Sequence, residues 1–344
     1  MSLVRRQEGK GRPGRRPAPR AVPPSAPPPA VAAKAAFLRR LELDVTRRLD
    51  GMLSGDYLAF AAGPGTEPAG ARPYGPGDDA RRIDWSLTAR ALDLHVRTTE
   101  AERELETCVV VDRSASLDFG TAQREKREVA LAVTAAFGFL TVRAGNRLSV
   151  VIAGGEQLSR LPARNGRSGV MAALSAVYDT PRRETGPAPA ADLKSALARV
   201  EQTQVRRGQI LVVSDFLEAS EWPVPLRRVA LRHQVICAHV TDQRELQLPA
   251  VGMLAVVDVE TGRHLDVQTD SPRLRERFAA AATARHDGIR RSIVEAGAEY
   301  LGVATDRDWL LDVATFIGQR RGRRTIQTAR AREAAVSSAQ GGRQ

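Results

Sequence analysis

From Leu105 onward this chain alternates short apolar runs with longer amphipathic ones, and no other feature restricts its fold so strongly. Leu105–Val111, Leu148–Ala153, Gln209–Val213, Gln234–Val240 and Glu299–Val303 are short and largely apolar, as strands buried on both faces are. A helix is predicted over Thr121–Arg143, with Val129, Val133, Phe137 and Leu140 on one face and Gly145 just past its end. A second covers Gly169–Tyr178, and a third starts behind Asp192 as N-cap and groups Leu193, Leu197 and Val200. A fourth opens with Ser271-Pro272 and stops at Gly297, and a last one covers Trp309–Ile317. Strands and helices in this order make an α/β fold with an open, mostly parallel, doubly wound sheet. Residues 252–268 break the alternation and are predicted to form a hairpin insertion turning at Glu260-Thr261-Gly262-Arg263.

The net charge of +12 invites a nucleic-acid role, but its distribution argues against one. Residues 1–40 hold ten Lys or Arg against one acid, and residues 319–344 hold seven against one. The stretch 41–318 has 35 basic and 38 acidic residues, so the basicity belongs to the ends, and aromatics for base stacking make up only 4% of the chain. Residues 1–33, rich in Pro and Arg, and residues 321–344 are expected to be disordered tails. Between them lie an amino-terminal helical and β extension, 34–104, and the α/β domain, 105–320. In the extension, Leu38, Leu41, Val45 and Leu49 fall at helical spacing. Cys108 and Cys237 sit in apolar runs at no metal or redox spacing, as buried small hydrophobes in a reducing cytosol would. The basic start leads into Pro-rich sequence, not an export signal, and the longest apolar run, Val129–Val142, is too short to span a bilayer. The expected location is the cytoplasm.

The sharpest chemical signal is Val109-Val110-Val111-Asp112-Arg113-Ser114-Ala115-Ser116. Here a buried strand ends in an acid, and two hydroxyls follow at alternate positions. Ligands of open α/β sheets bind at the carboxyl ends of the strands, and Asp215, after Val212-Val213-Ser214, should project from the same edge. Hard divalent cations seek such oxygens, and Mg²⁺ or Mn²⁺ would suit Asp112, Ser114, Ser116 and Asp215. The competing account is that these residues only cap the helices that follow.

A second constellation runs from Tyr74 to Arg90 and includes Pro76-Gly77-Asp78-Asp79 and Arg82-Ile83-Asp84-Trp85. A turn leads into an N-cap, and Arg82, Asp84, Trp85 and Arg90 fall on a short helix. In one account Trp85 anchors that helix on the sheet and the charges pair locally. In the other, Asp78, Arg82, Asp84, Trp85 and Arg90 bind a partner.

Tyr74-x-Pro76-Gly77-Asp78-Asp79-x-x-Arg82-Ile83-Asp84-Trp85 with Ala89-Arg90, followed by the Asp112 loop, resembles the bacterial family catalogued as domain of unknown function 58. Leu248-Pro249 and Asp258-Val259-Glu260-Thr261-Gly262 resemble a later stretch of it, so the likeness runs over about residues 40–320. The resemblance implies a domain of von Willebrand factor A type with a metal-ion-dependent adhesion site at Asp112, Ser114, Ser116 and Asp215. It also implies association with AAA+ ATPases of the MoxR type. Two departures stand out. The usual threonine ligand is replaced by Ala191, and the amino-terminal membrane helices of many relatives have no counterpart in this sequence.

No phosphate loop, dinucleotide fingerprint or nucleophile elbow is present, and the five histidines fall at no metal or triad spacing. The expected function is therefore a non-enzymatic adaptor that engages a protein partner, for which the resemblance implies a MoxR-type ATPase, through a divalent-metal adhesion-like site. The alternative is a metal-dependent hydrolase acting at the Asp112/Asp215 pocket, and such an enzyme would need a general base within reach.

Overall fold

Strands that are apolar on both faces must be covered on both, and this requirement organises the molecule. The computed structural model describes residues 29–53, 71–75, 83–91, 93–97, 106–121, 124–154, 157–182, 192–217, 221–257, 263–320 and 323. The chain divides into two compact units, 1–37 and 38–344. In the first, the described part is the start of helix α1 (Pro29–Leu53). The expected tail boundary at residue 33 is thus corrected: Pro29 stands at the first helical position and Ala-rich sequence follows it, a combination that favours helix. Apart from residue 323, the tail expected beyond residue 320 and the rest of the amino-terminal one lie outside the described residues.

In the second unit, a small antiparallel pair joins β1 (Ala71–Pro73) and β2 (His95–Arg97), with α2 (Trp85–Ala91) between them. The main elements then follow: β3 (Glu106–Asp112), α3 (Lys126–Arg143), β4 (Arg147–Ala153), β5 (Ser159–Arg164), α4 (Gly166–Asp179), α5 (Leu193–Thr203) and β6 (Gln209–Ser214). After these come α6 (Pro223–Arg232), β7 (Gln234–Thr241), α7 (Gln243–Leu246), the hairpin β8 (Met253–Val257) and β9 (His264–Gln268), α8 (Pro272–Glu295), β10 (Glu299–Ala304) and α9 (309–320).

The central sheet has the order β10-β7-β6-β3-β4-β5, and every neighbouring pair is parallel except β4 with β5. Side chains alternate along β3 as the period of two demands. Val109 and Val111 join one core layer, with Leu38, Val45 and Leu49 of α1, Val170 and Leu174 of α4, and Trp309 and Val313 of α9. Cys108 and Val110 join the other, with Leu193 and Leu197 of α5, Leu226 of α6, and Ile289 and Ile293 of α8. Both cysteines are free and buried, and burial pushes the thiol of Cys108 up to about 11.

Helix α3 is covered all round, since every residue from Val129 to Thr141 is buried. Its expected start at Thr121 is corrected to Lys126. A capping box between Glu125 and Glu128 fixes the true beginning and leaves Thr121 in the preceding loop. Asp192 and Ser271 cap α5 and α8 as expected. The hairpin of β8 and β9 is antiparallel, with its turn outside the described residues. Three elements escaped the sequence: β5, α6 and the single-turn α7. Strand β5 is an antiparallel edge strand interrupted by Pro162, and α6 carries Pro223 in its first turn.

At the carboxyl end of β4 the chain passes close to the start of the Asp112 loop: the N–H of Arg113 donates to the carbonyl of Ala153 at 2.8 Å. Gly154 has φ +110°, and a Cβ there would lie 2.4 Å from the carbonyl carbon of Arg113. Gly145, at φ +76° beyond α3, has open space around it. Gly145→Ala should therefore cost about 1 kcal/mol. Gly154→Ala should cost about 2–4 kcal/mol, because backbone must move as well. Urea denaturation of both variants checks this, and equal costs would show that the approach at Gly154 is not tight.

Candidate functional site

Strands β3 and β6 are neighbours, yet the chain leaves β3 toward β4 on one side and returns to β6 on the other. Their carboxyl ends therefore flank the topological switch point, where an open sheet leaves a crevice. Asp112 is the last residue of β3, and Asp215 directly follows Ser214 at the end of β6. Both are buried.

The four residues expected at this site come together. The Asp112 carboxylate accepts from the N–H of Ser114 at 2.8 Å and from the Ser214 hydroxyl at 2.6 Å. The hydroxyls of Ser114 and Ser116 lie 3.0 Å apart, and the Ser116 hydroxyl also bonds Asp215. Asp215 accepts from the N–H of Leu217 at 3.2 Å. Burial and then the charge of Asp215 push the Asp112 carboxyl up to about 6.

Sequence reasoning missed the group that governs the charge here. The Lys126 ammonium, in the first turn of α3 and fully buried, donates to Asp215 Oδ2 at 2.7 Å and to the carboxylate of Glu245 on α7. Burial alone would lower the pKa of that ammonium, but the charges of Asp215 and Glu245 outweigh it and hold the pKa above its ordinary value. Burial would likewise raise Asp215, yet Lys126 holds it below the usual carboxylate range. Glu245, whose side chain keeps 24% of its exposure, is raised by burial against the pull of Lys126.

As built, these side chains do not fit a resident divalent ion. Both oxygens of each acid already accept from protein donors, and a fixed ammonium lies directly on Asp215. Among the described residues, no group of three or more His, Cys, Asp or Glu could hold a metal. Position 191, where the resemblance places a threonine ligand, lies outside the described residues.

A second missed acid, Asp242, locks the surroundings. It follows β7 and accepts from the Thr121 N–H at 3.0 Å, the Thr121 hydroxyl at 2.6 Å, the Thr305 hydroxyl at 2.6 Å and the Arg244 N–H at 2.9 Å. It therefore joins the loop before α3, the end of β10 and the start of α7. Its own N–H donates to Glu245 at 3.1 Å, which completes a capping box. Two signals pointed this way: Asp242-x-x-Glu245 is a legible capping pattern, and Lys126 is one of only four lysines among 52 basic residues.

The upstream constellation is only partly visible. Asp84 caps α2 through the N–H of Leu87 at 3.1 Å, and the N–H of His95 donates to the Thr88 hydroxyl at 3.1 Å. Trp85 does not anchor the helix on the sheet. It is 68% exposed, because the first turn of α2 turns this residue outward. Arg90 lies on α2, while Asp78 and Arg82 lie outside the described residues. The buried histidine of β7, His239, packs against Phe216 and stacks on His286 at 5.0 Å. Its Nδ1 lies 3.1 Å from the Tyr300 hydroxyl.

A doubly wound α/β domain with paired acids at its switch point is the class that this geometry defines. The chain belongs to the family described as Protein of unknown function DUF58, whose model matches residues 70–288. Uncharacterized protein Rv1480 of Mycobacterium tuberculosis is 46% identical over 287 residues, which cover 83% of this chain and 90% of that protein. Uncharacterized protein MAV169 of Mycobacterium avium is 37% identical over 164 residues, covering 48% of this chain and 95% of its own length. Among solved structures, conserved hypothetical protein BatB from Bacteroides thetaiotaomicron is 16% identical, covers 62% of this chain and 98% of its own, and has a TM-score of 0.41. The SpRpn10 VWA domain is 13% identical, with coverage of 63% and 95% and a TM-score of 0.36. Among the described residues, no helix is long and apolar enough to cross a membrane.

The clamp at Asp242 generates a pH prediction. Burial opposes its charge, but the hydrogen bonds from Thr121 and Thr305 win and depress its pKa. Asp242→Asn should cost about 1–3 kcal/mol at neutral pH. A depressed folded pKa contributes stability that is full above about pH 4 and is lost as pH falls through the folded value. The gap between wild type and variant should therefore narrow in acid, and urea titrations from pH 7 downward measure it. A gap independent of pH would mean that the charge of Asp242 is not what holds the loops.

Proposed function

We propose that this protein is a non-enzymatic adaptor that engages a protein partner through the strand-end face of its sheet and through Trp85. The observation that carries this reading is that the acids at the switch point are committed to internal donors. Asp112 is held by Ser114 and Ser214, and Asp215 by Lys126 and Leu217. A hydrolase at this pocket would need a general base free to take a proton from water, and neither carboxylate is free in that sense. What the bonds accomplish is to fix the loops after β3, β6 and β7 in one arrangement, as a preformed binding face requires.

The family resemblance in Tyr74–Arg90 makes a MoxR-type AAA+ ATPase the first candidate partner, and the cytoplasm the proposed place of the encounter. Trp85 supports a contact outside the strand-end face. An exposed tryptophan on a capped helix offers a large apolar area at small entropic cost, the profile of residues that dominate interfaces. At the strand-end face, Arg244 is exposed at the start of α7 beside the clamp.

Binding of the full chain to a MoxR-type ATPase of the same genome, followed by interferometry, tests both surfaces. Trp85→Ala and Arg244→Glu should each weaken binding by about tenfold or more, with unfolding midpoints unchanged. Arg90→Glu should add to the loss from Trp85→Ala. Wild-type affinity in all three variants would place recognition elsewhere on the chain.

A further inference from the structure

Two buried acids at the ends of adjacent strands need positive charge near them, because unscreened carboxylates repel in a low-dielectric interior. Asp112 and Asp215 form such a pair and act on each other electrostatically. The chain itself brings that charge. Lys126 enters from the first turn of a helix buried all round, has no exposed side-chain surface, and lies 2.7 Å from Asp215. Its ammonium is also held by Glu245 and lies 5.8 Å from the centre of the Phe119 ring. An ammonium buried this deeply costs several kcal/mol unless it is paired, and here it has two carboxylates and an aromatic face. The two acids lie 89 and 119 residues further along the chain, so this is no accident of local sequence.

We infer that Lys126 is a tethered cation that stands in place of a divalent ion at the switch point, so that the strand-end site of this protein is built and held without metal. The ammonium supplies the counter-charge to Asp215, and Glu245 anchors it from α7. Ser114 and Ser116, free of any duty as ligands, hold each other at 3.0 Å. Only its consequence, a partner contact independent of metal, rests on the binding role proposed above. The site's construction can be tested with no partner present.

The experiment uses the full chain as wild type, Lys126→Met, and Lys126→Met combined with Asp215→Asn. Thermal unfolding is followed in Mg²⁺ and in chelator, and Mn²⁺ binding is followed by spin resonance of the free ion. Wild type should show the same midpoint in both media and bind no Mn²⁺. Lys126→Met should lose about 10 °C in midpoint, as removal of one partner from a buried pair does. Adding Asp215→Asn should recover at least half of that loss, because the stranded carboxylate is then neutral. If Lys126→Met fails to fold, recovery of folding in the double variant gives the same answer. Stoichiometric Mn²⁺ binding by wild type, a wild-type midpoint lowered by chelator, or a double variant no better than Lys126→Met would each overturn the inference.

Discussion

Five parallel strands with no face left for water set the terms for everything else in this molecule. Parallel neighbours cannot be joined by tight turns, so each crossover must run back along the sheet, and helices do so while covering it. All the strands then end on one edge, and the loops that follow them share a narrow space. Acids placed in that space are buried by the helices around them, not by choice of partner. The polar bonds among Asp112, Asp215, Asp242 and their donors are the local answer to a problem created by the sheet.

The sheet was legible because continuous apolar runs have few other interpretations. All five parallel strands were foreseen within a residue or so at each end. Strand β5 was not, since an edge strand packs on one side only and Ser159-Arg160-Leu161-Pro162 carries no apolar run. The helix after Trp222 was hidden by Pro223 and Pro225, which look like loop until they are placed in a first turn, where missing N–H groups cost nothing. Trp85 shows the opposite failing. Its apolar character suggested an anchor, but size alone does not decide which side of a short helix a residue occupies.

The site divides in the same way. That Asp112, Ser114, Ser116 and Asp215 gather at one place was legible because the strand-end rule is local and needs only a strand followed by oxygens. Lys126 and Glu245 were not, because the rarity of lysine and a capping pattern do not reveal which partner lies so far along the chain. Oxygens that suggested a cation from outside are satisfied by donors from inside. A motif describes which atoms gather, while the charge among them depends on the whole fold.

The position of Lys126 has a consequence for the order of folding. A cation in the first turn of a helix opposes the helix dipole, so α3 gains nothing from this residue until Asp215 and Glu245 arrive. Those acids lie 89 and 119 residues further along the chain, so the pairing carries the entropic cost of closing long loops, which disfavours its early formation. Bonds made after the transition state leave the folding rate nearly untouched and slow the reverse step instead. The buried cluster is thus a latch on the finished domain, one that sets how long the native state persists once it has formed.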